Sequence, residues 1–207
     1  MTNARGLAAL ILTFIFSTSL AAEYLYKDEV VFIESFETEI EKIGAEVREK
    51  TGVGMYVAVI KELDDNQTLA DFENSILDQV QEPALVLTLS EYDQQIDIMA
   101  RPASLYKDFD KEQILSPFPN SGTILPILTM KAKKATVAEK FAAAVQNGYT
   151  DLAEQIADSK GVVLETAVGS SNKTIINILR VIFYGMIAYG LYMYIKRKYL
   201  TKKRGDE

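Results

Sequence analysis

The chain has 207 residues, of which 48% are hydrophobic and 25% are charged, a composition typical of a globular domain and not of a disordered protein. It contains no Cys and no His, which excludes disulfide bonds, Cys/His zinc sites, thiol nucleophiles and catalysis by His. The net charge is −7, and this acidic excess argues against nucleic-acid binding because it repels phosphate.

The first 21 residues have the three-part pattern of a secretory signal peptide. A polar start leads into the ten-residue apolar stretch 7–16, and Ser19 and Ala21 are the small residues expected just before a cleavage site. An uncleaved anchor is the alternative, but a membrane-spanning helix needs about 20 apolar residues. We therefore predict cleavage after Ala21, with an exported domain at 22–160.

Hydrophobic periodicity divides this exported domain into helices and strands. Helices are predicted where apolar residues recur every three or four positions, and strands where short runs are apolar or alternate with polar residues. Asn66 or Thr68 is a suitable N-cap, Pro83 ends a helix, and Gly52 and Gly161 follow helix ends. The predicted elements are a helix at 30–47, a strand at 53–60, a helix at 69–80, strands at 84–89 and 96–100, and a helix at 137–160.

The order of these elements predicts the fold class. The two adjacent strands are expected to form an antiparallel hairpin, and the Pro-rich stretch 116–122 must be a loop. Thr136 and Glu139 form a capping box that opens the last helix. We predict one α/β domain in which helices flank a small mixed sheet.

The C-terminal region has the pattern of a membrane anchor. After a tether at 161–174, residues 175–195 form a mostly apolar stretch of 21 residues, enough for one transmembrane helix. Arg180 lies near the outer end of this stretch, where its long side chain can reach the lipid headgroups.

A basic tail at 196–207 sets the orientation. It begins with Lys196, Arg197 and Lys198, and positive charge marks the cytoplasmic side of a membrane helix. We therefore expect a single-pass protein of the bacterial inner membrane, with its domain in the periplasm and its C-terminus in the cytoplasm. Residues 23–172 contain 27 acidic and 13 basic side chains, a net charge of −14 that favours cations, basic partners or solubility.

Several stretches of the predicted domain resemble the TPM-domain family. An acidic residue precedes the first helix, which ends in Thr-Gly before a valine-rich strand, and a strand pair and a closing helix follow. The stretches and residues concerned are Asp28, 51–60, 84–90, 95–101, Phe141, Ala144, Gly148, Tyr149 and Leu152. Members of this family are exported or thylakoid-lumen α/β domains that often end in one membrane helix.

The resemblance covers residues 26–158 and implies three activities: divalent-cation binding, phosphatase activity, and the assembly or repair of membrane complexes. Two turns of the family pattern are replaced here by 81–83 and 100–104, in loops where metal or substrate would be sought. The resemblance therefore favours the assembly function. Asp28 is the nearest match to a functional residue, and the alternative for Asp28 is an acidic charge at a helix N-terminus.

An acidic loop adds candidate metal ligands to Asp28. Asp64 and Asp65, with Asp71 and Glu73 nearby, offer the oxygen ligands that Ca²⁺ or Mg²⁺ prefers. The spacing lacks the Gly and the final Glu of an EF-hand loop, and capping and solvation are the alternative roles of these residues. Our predicted metal ligands are Asp28, Asp64 and Asp65.

The remaining motifs favour binding over catalysis. Asn66 opens an Asn-x-Thr sequon and is a glycosylation candidate. Nucleophile-elbow, Walker and dinucleotide-binding patterns are missing, so we assign no catalytic residue. We predict a non-catalytic, membrane-anchored binding domain that supports the assembly or maintenance of a membrane or periplasmic protein complex. The alternatives are a divalent-cation-dependent phosphatase that uses surface carboxylates, and a solute sensor.

Overall fold

A computed structural model describes most of the chain, namely residues 23–131, 135–166, 181–187, 189–190, 192–193 and 196. The predicted signal peptide lies outside the described residues, and so do the anchor residues Arg180, Arg197 and Lys198. Residues 181–187 and Lys196 are helical. Within the described ranges, no helix is both long and apolar enough to cross a membrane.

Residues 23–166 form the strands and helices of the domain. In chain order they are β1 (Leu25–Asp28), α1 (Glu34–Thr51), β2 (Gly54–Ile60), α2 (Leu69–Leu77), β3 (Ala84–Ser90), β4 (Gln95–Arg101), a 3-10 helix (Ala103–Lys107), α3 (Lys111–Ile114), α4 (Leu125–Thr129) and α5 (Val137–Lys160).

The sheet has four strands in the order β1-β2-β3-β4. Strands β1, β2 and β3 are parallel to one another, and β4 is antiparallel to β3 with Ser90 opposite Gln95. The predicted α/β class, the mixed sheet flanked by helices and the antiparallel hairpin are confirmed. Strands β2 and β3 are buried along their whole length, as expected for nearly continuous apolar strands in the middle of a sheet.

Different helices contact different strands of the sheet. Helix α1 lies on β2 and packs against α5, whereas α2 packs on β3 and β4. Tyr149 of α5 is fully buried and donates its hydroxyl to the Met55 carbonyl at 2.7 Å. Arg101 of β4 donates hydrogen bonds to Asn74 of α2 and to Asp78, the residue that follows this helix. Helix α2 therefore covers the side of β4 that carries Arg101 and, by alternation, Asp97.

The predicted helix boundaries are confirmed where capping signals were available. Thr136 and Glu139 form both hydrogen bonds of the capping box at the start of α5. Gly52 and Gly161 follow α1 and α5 with φ angles of 77° and 68°, in the left-handed region that favours Gly. Thr68, rather than Asn66, is the N-cap of α2, where its side chain accepts a hydrogen bond from the Asp71 N–H.

The start of the domain differs from the prediction. The sequence pattern placed a helix from residue 30, but α1 begins at Glu34, and β1 precedes it as an unpredicted strand. The buried Glu41 side chain of α1 accepts hydrogen bonds from the Tyr24 and Leu25 N–H groups, both at 2.8 Å. These bonds place the start of β1 against α1, a long-range contact that local periodicity does not reveal.

Candidate functional site

The carboxyl ends of β1, β2 and β3 meet at one edge of the sheet, where ligands usually bind in open α/β sheets. Asp28 ends β1 at this edge. Its Oδ1 accepts hydrogen bonds from the N–H groups of Val30 at 3.1 Å and Val31 at 2.8 Å, and its Oδ2 accepts one from Phe32 at 2.8 Å. The Asp28 carboxylate therefore shapes the loop that joins β1 to α1. It is not a charge at the N-terminus of α1, which begins only at Glu34.

The other two predicted metal ligands lie in the exposed loop after β2. The carbonyl of Asp64 accepts a hydrogen bond from the Gln67 N–H at 2.9 Å, and the side chains of Asp64 and Asp65 are exposed. In the part of the chain that the structure describes, no group of three or more acidic side chains is placed to hold a metal ion. The structure thus does not join Asp28, Asp64 and Asp65 into one such group, and metal binding there stays a prediction.

Further acidic side chains at this edge accept hydrogen bonds from loop backbone. Glu29 accepts from the Lys61 N–H at 3.1 Å and pairs with Lys27 at 2.8 Å; the hydrogen bond from Lys27 is the main reason why its pKa is lowered. Asp93 accepts hydrogen bonds from the Ser90 hydroxyl at 2.6 Å and from the Leu63 N–H at 2.9 Å. Both bonds lower the pKa of Asp93, and the bond from Ser90 has the larger effect. These carboxylates join the loops that follow the parallel strands.

The sequon at Asn66 lies on the surface. Asn66 is exposed and has a φ of 66°, a left-handed conformation that Asn tolerates better than most residues. The side chain is accessible for modification, and its glycosylation stays a prediction.

An apolar pocket of about 470 Å³ opens between the tip of the β3–β4 hairpin and helices α4 and α5. The apolar residues that line it are Leu89, Ile96, Leu125, Leu128, Val137 and Phe141. Lys140 also lines the pocket, and within the described residues its ammonium group has no ion pair. The volume lies in the range of ligand and side-chain binding pockets, roughly 300–1,000 Å³.

A second cavity, of about 450 Å³, runs along β1 and the start of α1. We call it the β1 groove, and its lining consists of Leu25, Tyr26, Lys27, Asp28, Phe32, Ile33, Glu34 and Glu37. The Phe32 side chain is 74% exposed, which is unusual for a large aromatic residue.

A carboxyl group is buried between α2 and the sheet. Glu73 has no exposed surface, and neither its oxygens nor the buried Thr88 hydroxyl makes a hydrogen bond of standard geometry with any residue that the structure describes. Burial is the main reason why the pKa of Glu73 is raised to about 8; nearby Asp97 raises it further, while the adjacent Thr88 hydroxyl and Lys111 lower it. Lys111 pairs with Asp97 at 2.6 Å.

Sequence reasoning missed the apolar pocket and misplaced Glu73. The pocket depends on α4, a five-residue helix too short to show a periodic pattern, and Val137 is 51% exposed although it continues the apolar stripe of α5. Glu73 was grouped with the acidic loop in the sequence analysis. Glu73 lies on α2 three positions before Ile76, however, and therefore shares the buried face of that helix. This spacing was the available signal for its burial.

No family model matches the chain, and no curated protein matches it. The fold and the cavities therefore define the class only as an α/β domain with a four-stranded mixed sheet and an apolar pocket beside the hairpin.

Proposed function

We propose that the protein is a TPM-like binding domain, exported and tethered to the bacterial inner membrane, that holds a partner protein by apolar side chains inserted into the apolar pocket. The partner is another membrane or periplasmic protein, and binding supports the assembly or maintenance of their complex. The pocket is the observation that carries this proposal.

The pocket has the properties of a protein-binding site. Leu125, Leu128 and Phe141 are only half-buried, and contiguous exposed apolar surface is typical of interaction sites. Lys140 and Glu91 both line the pocket, and Lys140, which has no ion pair among the described residues, would attract an acidic residue next to the partner's apolar side chains. We therefore expect a partner segment with apolar side chains and at least one carboxylate.

The proposed location rests on the sequence. The signal-like start, the apolar stretch 175–195 and the basic tail agree on one orientation. In the described part of that stretch, residues 181–187 are helical and their apolar side chains are exposed. A helix with apolar side chains exposed in this way would be stabilised by lipid.

Photo-crosslinking in the native membrane tests the function. A photoreactive side chain at Leu128 of the full-length protein is expected to give one discrete adduct with a different protein, whereas the same group at exposed Gln79, in the turn after α2, is expected to give none. A Leu125→Asp substitution in the protein that carries the photoreactive group at position 128 is expected to abolish the adduct, because a charge in the pocket opposes apolar contact.

Circular dichroism must show that this variant is folded. An adduct at twice the mass of the chain would show self-association and contradict the proposal. Equal crosslinking from the Leu128 and Gln79 positions, or an adduct that survives Leu125→Asp, would also contradict it.

A further inference from the structure

We propose that the β1 groove is a second binding surface, separate from the apolar pocket, and that it binds an extended cationic segment of a partner protein. The segment would place Lys or Arg side chains between the exposed aromatic rings and the free carboxylates of the groove, next to the edge strand β1.

The first observation is the way in which Phe32 is presented. Its φ of 50° is costly for a bulky residue, by about 1–3 kcal/mol. The three hydrogen bonds that Asp28 accepts from Val30, Val31 and Phe32 compensate this cost. The result is an aromatic ring that is 74% exposed, although the hydrophobic effect alone would favour its burial.

The second observation is the charge of the groove. Its charged lining residues are Lys27, Asp28, Glu34 and Glu37, which gives a net charge of −2. Asp28 is occupied by backbone N–H groups and Lys27 pairs with Glu29 at 2.8 Å. Within the described residues, neither Glu34 nor Glu37 makes an ion pair. Two free carboxylates beside exposed rings are complementary to a cationic side chain, which aromatic faces also attract.

The third observation concerns the shape of the partner. Strand β1 forms one edge of the sheet, and Tyr26 on this strand is 37% exposed and lines the groove. Edge strands with adjacent side-chain pockets recognise extended peptides, which run alongside the strand and place alternate side chains in the pockets. The favoured occupant is therefore an extended stretch in which cationic residues alternate with apolar ones.

A simpler role for Glu34 and Glu37 is to stabilise the start of α1, since acidic groups interact favourably with a helix N-terminus. That explanation does not account for the exposed Phe32 ring or for the cavity between the ring and β1. It also predicts that the two carboxylates affect helix stability but not peptide binding, so an experiment separates the two roles.

The experiment measures binding of a labelled peptide to the full-length protein in micelles of a neutral detergent. The probe is a six-residue peptide of alternating Lys and Val, and the control is the same peptide with Glu in place of Lys. We expect the Lys peptide to bind and the Glu peptide not to bind. Glu34→Gln/Glu37→Gln is expected to weaken binding about 2- to 30-fold, from the usual strength of two exposed ion pairs.

Matched variants separate a specific groove from the general acidity of the domain. Glu62→Gln/Glu112→Gln removes the same charge from exposed positions outside both cavities and is expected to change the affinity less than two-fold. Phe32→Ser is expected to weaken binding about two- to five-fold, the usual strength of one cation–π contact. All variants must keep the circular dichroism spectrum of the unmodified protein.

Two results would overturn the proposal. Equal weakening by the two Glu-pair variants would show only long-range attraction to an acidic surface, and unchanged binding after Phe32→Ser would remove the aromatic ring from the interaction. Neither result bears on the apolar pocket, because Leu128 lines the other cavity and its crosslinking is measured separately.

Discussion

The buried Glu73 gives the sharpest test of the structure. Its carboxyl group lies between α2 and the sheet with no exposed surface, and among the described residues it makes no hydrogen bond of standard geometry. A Glu73→Gln substitution keeps the shape of the side chain but removes its ability to ionise. We predict that this variant is more stable than the unmodified protein at neutral and alkaline pH, although it alters a fully buried residue.

The size of the effect follows from the pKa. The pKa of Glu73 is raised from 4.5 to about 8 in the folded state, so between these values the folded protein binds more protons than the unfolded chain. The free energy of unfolding therefore falls as pH rises through this range, by about 1.4 kcal/mol per pH unit. The loss is about 3 kcal/mol at pH 7 and about 4 kcal/mol at pH 8, and it levels off near about 5 kcal/mol at higher pH.

Chemical denaturation of the full-length protein and the Glu73→Gln variant at pH 5, 6, 7, 8 and 9 measures this loss. The helical circular dichroism signal follows unfolding, and exposed Glu62→Gln is the control for a simple change in net charge. We expect the difference in stability between the variant and the unmodified protein to grow steadily from pH 5 to pH 8. Parallel pH profiles for these two proteins would refute the assignment of Glu73 as a buried group that is protonated at neutral pH.

Two further predictions concern acidic residues with different partners. Burial alone would raise the pKa of Glu46, but hydrogen bonds from Lys50, from the Thr166 side chain and from the N–H groups of Glu165 and Thr166 lower it to about 2. The stabilisation that Glu46 provides is therefore present above pH 4.5 and is lost as pH falls toward 2. Glu46→Gln should speed hydrogen exchange at residues 165–166, whereas exposed Glu49→Gln should not; equal exchange in both variants would contradict the role of Glu46. The last prediction concerns the proposed metal ligands: millimolar Ca²⁺ or Mg²⁺ should shift the melting temperature by less than about 2 °C. Asp28 already accepts three backbone hydrogen bonds, and a site made by Asp64 and Asp65 alone would be weak. A larger shift that disappears in Asp65→Asn would show that the loop binds metal.

The sequence predicted those parts of the fold whose signals are local. Helix α5 shows an apolar stripe over many turns, with a capping box at one end and Gly161 at the other, and the β3–β4 hairpin joins two neighbouring strands. Strand β1 lacks such signals, because it has four residues and its partner β2 begins 26 positions after the end of β1. A parallel pairing over that distance depends on tertiary contacts, here including those from Glu41, and these cannot be read from periodicity.

The candidate site was predictable in residue type but not in role. Asp28 was singled out as a candidate metal ligand or a charge before a helix, yet neither role predicts the loop hydrogen bonds that it accepts. The distinction requires the backbone path of residues 29–33, which depends in turn on the unpredicted β1. The apolar pocket was beyond prediction for a similar reason, since its lining comes from elements that are distant in sequence.

The partners of the acidic residues indicate which ligands the domain can attract. At the carboxyl edge of the sheet, the carboxylates of Asp28, Glu29 and Asp93 already accept hydrogen bonds from backbone N–H groups, so fewer of their lone pairs are available to an external cation. Glu34 and Glu37 have no such partners among the described residues, and a carboxylate without a partner attracts an external cation more strongly than one that is already bound. A peptide that probes the acidic surface should therefore respond more to Glu34 and Glu37 than to acidic side chains outside the β1 groove, which is the difference that the paired Gln variants measure.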